Sequence, residues 1–413
     1  LLCFFGAADD MDTYFKKYAE SDEVKSAFYY TGITAEDNPF KKHIGSNIYI
    51  TNFIYGLPSV QNLIFDIPNK TITDVSLLGL SNFYGEGNKA AFIYGEGIYC
   101  NYFNIFKEYF PGAVVDVKNN PRYEKSNKER HYTFRDLGQP DVFHVTCEIP
   151  LSDIKTVYGL TAYETTGNGA AEEKQVGPEF RINNSAKKVE IKGLLDIKEY
   201  GRYSITLQPQ GAGTVFLDGL KANDRELYQG LHRIRIAITD LQEVRPVSIM
   251  ISSAGNPAKV LIKQENIIRS DKVFGLIGEY SSEGRFIKKI LDPVIDHRYY
   301  YFNLRNLNVN KFDVKWSGIF NPGAEAVYEF AVQTPYKASV LINGEKVFER
   351  LSAGQVISRP VKLNAKGNRI TVMYYYASAA EIIRDPSSFV RLIYGESGSD
   401  IKKPVPYYMF SPN

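Results

Sequence analysis

At 413 residues the chain exceeds one ordinary domain of about 100–200 residues, and its apolar and charged fractions, 44% and 23%, are those of a globular chain and not of a disordered one. Lys plus Arg (49) and Asp plus Glu (47) nearly cancel, with no long run of one sign, which excludes nucleic acid as a partner. The departure from average is aromatic: 30 Tyr and 25 Phe against a single Trp, a bias that β-rich chains and sugar-contacting surfaces share.

In chain order, residues 1–8 form an apolar stub that is too short to cross a bilayer, which takes about 20 residues. It reads either as the tail of a membrane or signal segment or as a buried first strand. From Asp10 to Phe28, Met11, Tyr14, Phe15, Tyr18 and Val24 recur at helical spacing. Asn47–Phe53 reads as a strand, and Pro58 opens a helix at a position where its missing N–H costs nothing. Asp74–Leu80 and Ala90–Tyr94 read as strands, Tyr102–Phe110 as a helix and Gly112–Val117 as a strand, an alternation that predicts a small α/β layer with some parallel pairing.

Gly85-Glu-Gly87 and Gly95-Glu-Gly97 match neither a dinucleotide fingerprint nor a phosphate loop and are read as turns. Glu86 and Glu96 are ten residues apart, a spacing that establishes no proximity, so no catalytic pair is assigned. Cys3, Cys100 and Cys147 and the five His lack metal-ligand spacing, and no cofactor or metal is expected.

Over residues 12–154, the Tyr14-Phe-Lys-Lys-Tyr-Ala19 start, the strand Ile48–Asn52 and the Phe110-Pro-Gly-Ala113 turn resemble the soluble tail of multi-spanning glycosyltransferases that use polyprenyl-phosphate sugars. The resemblance implies an extracytoplasmic accessory part, periplasmic or at the cell surface, held to the membrane by a preceding segment. In that family the chemistry lies in loops between membrane helices, so this stretch would not be the catalyst.

From Tyr158 onward the sequence repeats. Gly159-Leu-Thr-Ala-Tyr163 and Gly275-Leu-Ile-Gly-Glu-Tyr280 open two segments 116 residues apart (275 less 159). Gly193 and Gly318, Tyr203 and Tyr328, and Asp218-Gly219 and Asn343-Gly344 all share an offset of 125 (318 less 193). Apolar and polar residues alternate in Tyr203–Leu207, His232–Ile238 and Ser339–Ile342, the pattern of a sheet with one buried face. Asp-Gly and Asn-Gly after apolar strands predict type I′ hairpins. The expected fold class is α+β multidomain: a small N-terminal α/β domain (1–157) followed by two antiparallel β-sandwich domains (158–270 and 271–413).

The second repeat resembles the fourteen-kilodalton domain first seen in anthrax protective antigen, through Gly275-Leu-Ile-Gly-Glu-Tyr280, Val314-Lys-Trp-Ser-Gly318, Tyr328-Glu-Phe-Ala-Val332, Val340-Leu-Ile-Asn-Gly344 and Gly367-Asn-Arg-Ile-Thr-Val-Met-Tyr-Tyr375. The first repeat shares the pattern with Val189-Glu-Ile-Lys-Gly193 where the second has its Trp. That resemblance implies carbohydrate binding, which in the adhesin branch uses calcium held by two adjacent acidic residues. At the matching places this chain has Gln208-Pro-Gln-Gly211 and Thr334-Pro-Tyr336, without the acidic pair. Trp316, inside an alternating strand, is read as core.

The residues singled out for sugar contact are Tyr336, Asn343, Asp218 and Gln210, on the two turns and the two hairpin tips. The expected partner is a glycan or a lipid-linked sugar, with the chain itself non-catalytic. The alternatives are a scaffold without a sugar site and, less favoured for want of any nucleophile or acid-base motif, a glycosidase.

Overall fold

The computed structural model describes residues 38–55, 58–73, 83, 89–96, 100–119, 142–167, 169, 171–183, 186–238, 246–296, 312–352, 355–376, 390–399 and 402–412. The apolar stub, the helix expected at 10–28, the strand expected at 74–80 and the Gly85-Glu-Gly87 turn lie outside the described residues. The chain divides into two compact units, one of residues 1–78 and 85–153 and the other of residues 79–84 and 154–413. Among the described residues no helix is long and apolar enough to cross a membrane.

In the first unit Asn47–Thr51 pairs in parallel with both Lys70–Thr73 and Ala91–Glu96. Val142–Ile149 then runs antiparallel to Ala91–Glu96 and to Val114–Asn119, which closes a mixed sheet. The expected strand at 47–53 stops at Thr51, because Asn52 starts a four-residue helix, Asn52–Tyr55; Asn favours helix starts over strand interiors. Pro58 begins the helix Pro58–Ile64, and Cys100–Tyr109 is also helical, both close to expectation. Ile48, Ile50 and Phe92 from the sheet meet Ile54, Val60 and Ile64 from the helices in one core. Cys147 is a free, buried thiol, pushed up to about 12 by burial and by the neighbouring Glu148 charge.

In the second unit strands dominate. The first repeat sets Leu160–Thr166, Ala171–Val176, Ala186–Ile197, Gly230–Ile238 and Gly213–Leu217 in one antiparallel sheet. Its second sheet contains Gly201–Gln208, Arg225–Leu227 and Pro246–Ser253. Ile191 and Ile236 from the first sheet and Ile205 and Ile249 from the second share one core, so the two form a sandwich. The second repeat rebuilds this plan. Leu276–Ser282, Arg285–Asp292, Phe312–Phe320, Asn368–Tyr376 and Lys337–Ile342 make one sheet, and Ala326–Gln333, Val361–Leu363 and Arg391–Glu396 the other, around Trp316, Phe330, Val372 and Tyr394.

The repeat predicted from sequence is visible in the backbone. Gly159 and Gly275 have φ of 116° and 114°, and the strands that follow them, Leu160–Thr166 and Leu276–Ser282, bury and expose their residues in the same order. Tyr203 and Tyr328 each donate a hydroxyl to the carbonyl four residues upstream, of Glu199 at 2.9 Å and Ala324 at 3.2 Å.

One feature departs from two separate sandwiches: their larger sheets are continuous, joined by a parallel bridge between Gly230 and Lys289. At Gly230, with φ 115°, a Cβ would lie 1.9 Å from the Lys289 carbonyl oxygen, so only glycine lets the two strands come together there.

Candidate functional site

Both hairpin tips are built alike. Asp218 and Gly219 have φ of 48° and 83°, Asn343 and Gly344 of 52° and 90°, the positive values that a type I′ turn demands. Asp218 Oδ1 accepts from the Arg233 backbone N–H at 2.9 Å, and Asn343 Oδ1 accepts from that of Arg369, also at 2.9 Å. Asp and Asn therefore serve here first as turn residues whose side chain ties the tip to the adjacent strand.

The two tips differ in what surrounds them. Asn343 is exposed, whereas Asp218 lies against the second sandwich, where its Oδ2 meets His232 Nδ1 at 2.7 Å and the Lys289 ammonium at 3.0 Å. Lys289 also pairs with Glu279 at 3.2 Å. His232 Nε2 faces the Tyr228 carbonyl at 2.8 Å, so each ring nitrogen has an oxygen in reach. Burial alone would raise the Asp218 carboxyl, but the His232 hydrogen bond and the Lys289 charge outweigh it and hold the group well below the usual carboxylate range. Arg233 completes the seam, donating from its guanidinium to the Ser317 carbonyl at 2.9 Å and to the Pro412 carbonyl.

Inside the sandwiches the polar residues are satisfied in different ways. In the second, buried Asp292 accepts from the Tyr280 hydroxyl at 2.7 Å and from Trp316 Nε1 at 2.8 Å. Trp316 is fully buried and is a core residue. In the first, Ile191 stands where the second has Trp316, and buried Glu164 pairs with Lys174.

Gln210 is exposed in the turn after the cis Gln208–Pro209 peptide. Tyr336 is half-buried, packed edge-on against Tyr374 with centroids 6.3 Å apart, and its backbone N–H donates to Thr334 Oγ1 at 3.2 Å. Gln210 and Asp218 lie beyond opposite ends of Gly213–Leu217, and Tyr336 and Asn343 beyond opposite ends of Lys337–Ile342. At about 3.4 Å per residue these strands separate each pair by roughly 17–20 Å. The fold therefore does not gather the four residues into one constellation.

What it does gather, and what the sequence did not single out, is a row of rings at the seam. Tyr200 and Tyr228 stack with centroids 5.4 Å apart, and Tyr228 and Phe286 with centroids 4.2 Å apart. The signal within reach was the chain's 30 Tyr, but nothing local ties residues 200, 228 and 286 together. Among the described residues no group of three or more His, Cys, Asp or Glu could hold a metal ion.

No known protein family and no curated protein sequence matches the chain. Among solved structures, an anti-sigma factor domain-containing protein aligns at 17% identity with a TM-score of 0.29, over 62% of this chain and 100% of its own. A PA14 sugar-binding domain from an RTX adhesin aligns at 15% identity and a TM-score of 0.27, over 34% of this chain and 99% of its own. The epithelial adhesin 6 A domain from Candida glabrata, in complex with Galβ1-3GlcNAc, aligns at 10% identity and a TM-score of 0.25, over 34% of this chain and 88% of its own. TM-scores this low leave the architecture resting on the chain's own strand pairing.

Proposed function

We propose that this chain is a non-catalytic, extracytoplasmic accessory module that binds or positions carbohydrate for a larger surface protein, of which a membrane glycosyltransferase is the form its N-terminal sequence resembles. On this reading the N-terminal sheet and helices are a small α/β domain, and the two sandwiches, 158–270 and 271–413, carry the recognition. The observation that supports it is the structural place of the residues by which the second repeat resembles the fourteen-kilodalton sugar-binding family. Gly275, Gly318, Tyr328 and Asn343-Gly344 each have a specific backbone role, and Gly159, Gly193, Tyr203 and Asp218-Gly219 repeat those roles in the first copy.

Recognition is expected without calcium. The turns where the resemblance would put an acidic pair present the amides of Gln208 and Gln210 and the half-buried phenol of Tyr336. Calcium takes six to eight oxygen ligands and favours carboxylates among them. A glycan-array screen of the whole chain, run with Ca²⁺ and again with a chelator, tests the reading. Binding that survives the chelator is the expected result, and silence across a broad array overturns it.

A second reading has its own support. Asp218, Lys289 and Arg233 lock the sandwiches together at the seam, as befits a rigid spacer or assembly scaffold with no sugar site. Silence on the array would leave this reading in place.

A further inference from the structure

We propose that Tyr200, Tyr228 and Phe286 form a stacking platform for a neutral hexopyranose glycan at the seam of the two sandwiches; the inference rests on the carbohydrate reading above and assigns it a site.

Tyr200 stands in the turn between Ala186–Ile197 and Gly201–Gln208, and Tyr228 between Arg225–Leu227 and Gly230–Ile238. Phe286 comes from Arg285–Asp292 in the other sandwich. The successive ring planes are only 29° and 25° apart, so the three rings form one ladder. Tyr200 is 61% exposed and Tyr228 46%, so the Tyr200 end of the ladder reaches solvent. A lone exposed aromatic needs no explanation, but a row of three drawn from two sandwiches is an organised surface.

The surroundings select the occupant. The charge of Glu226 raises the Tyr200 phenol above its ordinary value. Lys198 pairs with Asp196 at 2.6 Å, while Arg202, directly across the strand pair from Glu226, pairs with Asp224 at 2.6 Å. The two cations flanking Tyr200 in sequence, Lys198 and Arg202, are thus each matched by a carboxylate, which suits a neutral ligand and disfavours a phosphate backbone, although nucleobases also stack on rings. A stable protein interface buries about 800 Å² on each partner, far more than two partly exposed rings offer. A pyranose has the complementary form, an apolar C–H face to lie on a ring and hydroxyls that both donate and accept at a charged rim.

The platform is also held in advance of binding. The Tyr228 carbonyl faces His232, and the Asp218–Lys289 ion pair fixes the strand that carries Phe286. A preformed surface avoids the ordering cost that weakens flexible sites.

The test is binding of the full 413-residue chain to a panel of neutral gluco-, galacto- and manno-oligosaccharides, comparing the parent with Tyr200→Ala, Tyr200→Trp and Tyr228→Ala. Tyr200→Ala is expected to weaken binding about tenfold with an unchanged unfolding midpoint, and Tyr200→Trp to retain it. Sugar binding that is indifferent to both alanine variants overturns the platform and leaves the carbohydrate reading intact. No binding by the parent to any member of the panel overturns both.

Discussion

Gly193 and Gly318 hold the same place in the two sandwiches. A Cβ on Gly193 would lie 2.4 Å from Leu160 Cδ2 and 2.8 Å from the Ile268 carbonyl oxygen; one on Gly318 would lie 2.7 Å from Leu276 Cδ2 and 2.4 Å from the Ser411 carbonyl oxygen. In each copy the last short strand, Ile267–Ile268 or Phe410–Ser411, pairs antiparallel with a central strand just past its glycine, and the first leucine of the repeat fills the space beside it. The equivalence is one of packing, and it explains why glycine recurs at both positions.

Gly193→Ala and Gly318→Ala should therefore each lower stability by about 1–3 kcal/mol, the usual cost of overpacking against backbone that cannot retreat. Denaturant unfolding of the two variants checks this, and a midpoint equal to that of the parent would mean that the short paired strand gives way. Gly344→Ala, where a Cβ would meet nothing within 4 Å, separates crowding from the backbone effect of a positive φ.

The Asp218 carboxylate predicts how the seam responds to acid. Its folded value is depressed, so it contributes stability that is fully present above the ordinary carboxylate value of about 4 and is lost as pH falls through the lower folded value. The groups facing it are His232 and Lys289, with Glu279 on the far side of Lys289. Asp218→Asn should melt below the parent at neutral pH, and the difference should narrow below about pH 4. Thermal melts from neutral to acid pH read this directly, and a constant difference throughout would assign the effect to packing instead.

Replacing the single Trp tests the interior of the second sandwich. Trp316→Phe leaves buried Asp292 without its bond from the indole N–H and opens space in a fully buried position. A loss of about 2–4 kcal/mol is expected, measured by urea unfolding. Tyr280→Phe removes a second donor to the same oxygen with almost no change in volume, so it should cost less.

Much of the second unit is legible in the sequence because its signals are local. Asp218-Gly219 and Asn343-Gly344 announce their turns through φ preferences that act within two residues, and the alternation in 232–238 marks one buried face without reference to any partner. Trp316 as core followed from the same alternation. The end of the first strand at Thr51 was missed because Asn52-Phe-Ile-Tyr55 reads as readily in an extended run as in a helical turn. The sugar-contact residues were placed by resemblance to one repeat at a time, which could not reveal that the ends of Gly213–Leu217 point to different neighbourhoods.

The sequence alone points to two copies of one β-rich plan and shows where their hairpins turn, since these follow from backbone preferences and period-two patterning. It takes the folded chain to show that the larger sheets join at Gly230 and Lys289, that Asp218 is engaged at the seam while Asn343 is exposed, and that Tyr200, Tyr228 and Phe286 meet. The physical reason is that edge pairing between strands distant in sequence is governed by shape and charge across the two folded faces, and no single segment carries that information.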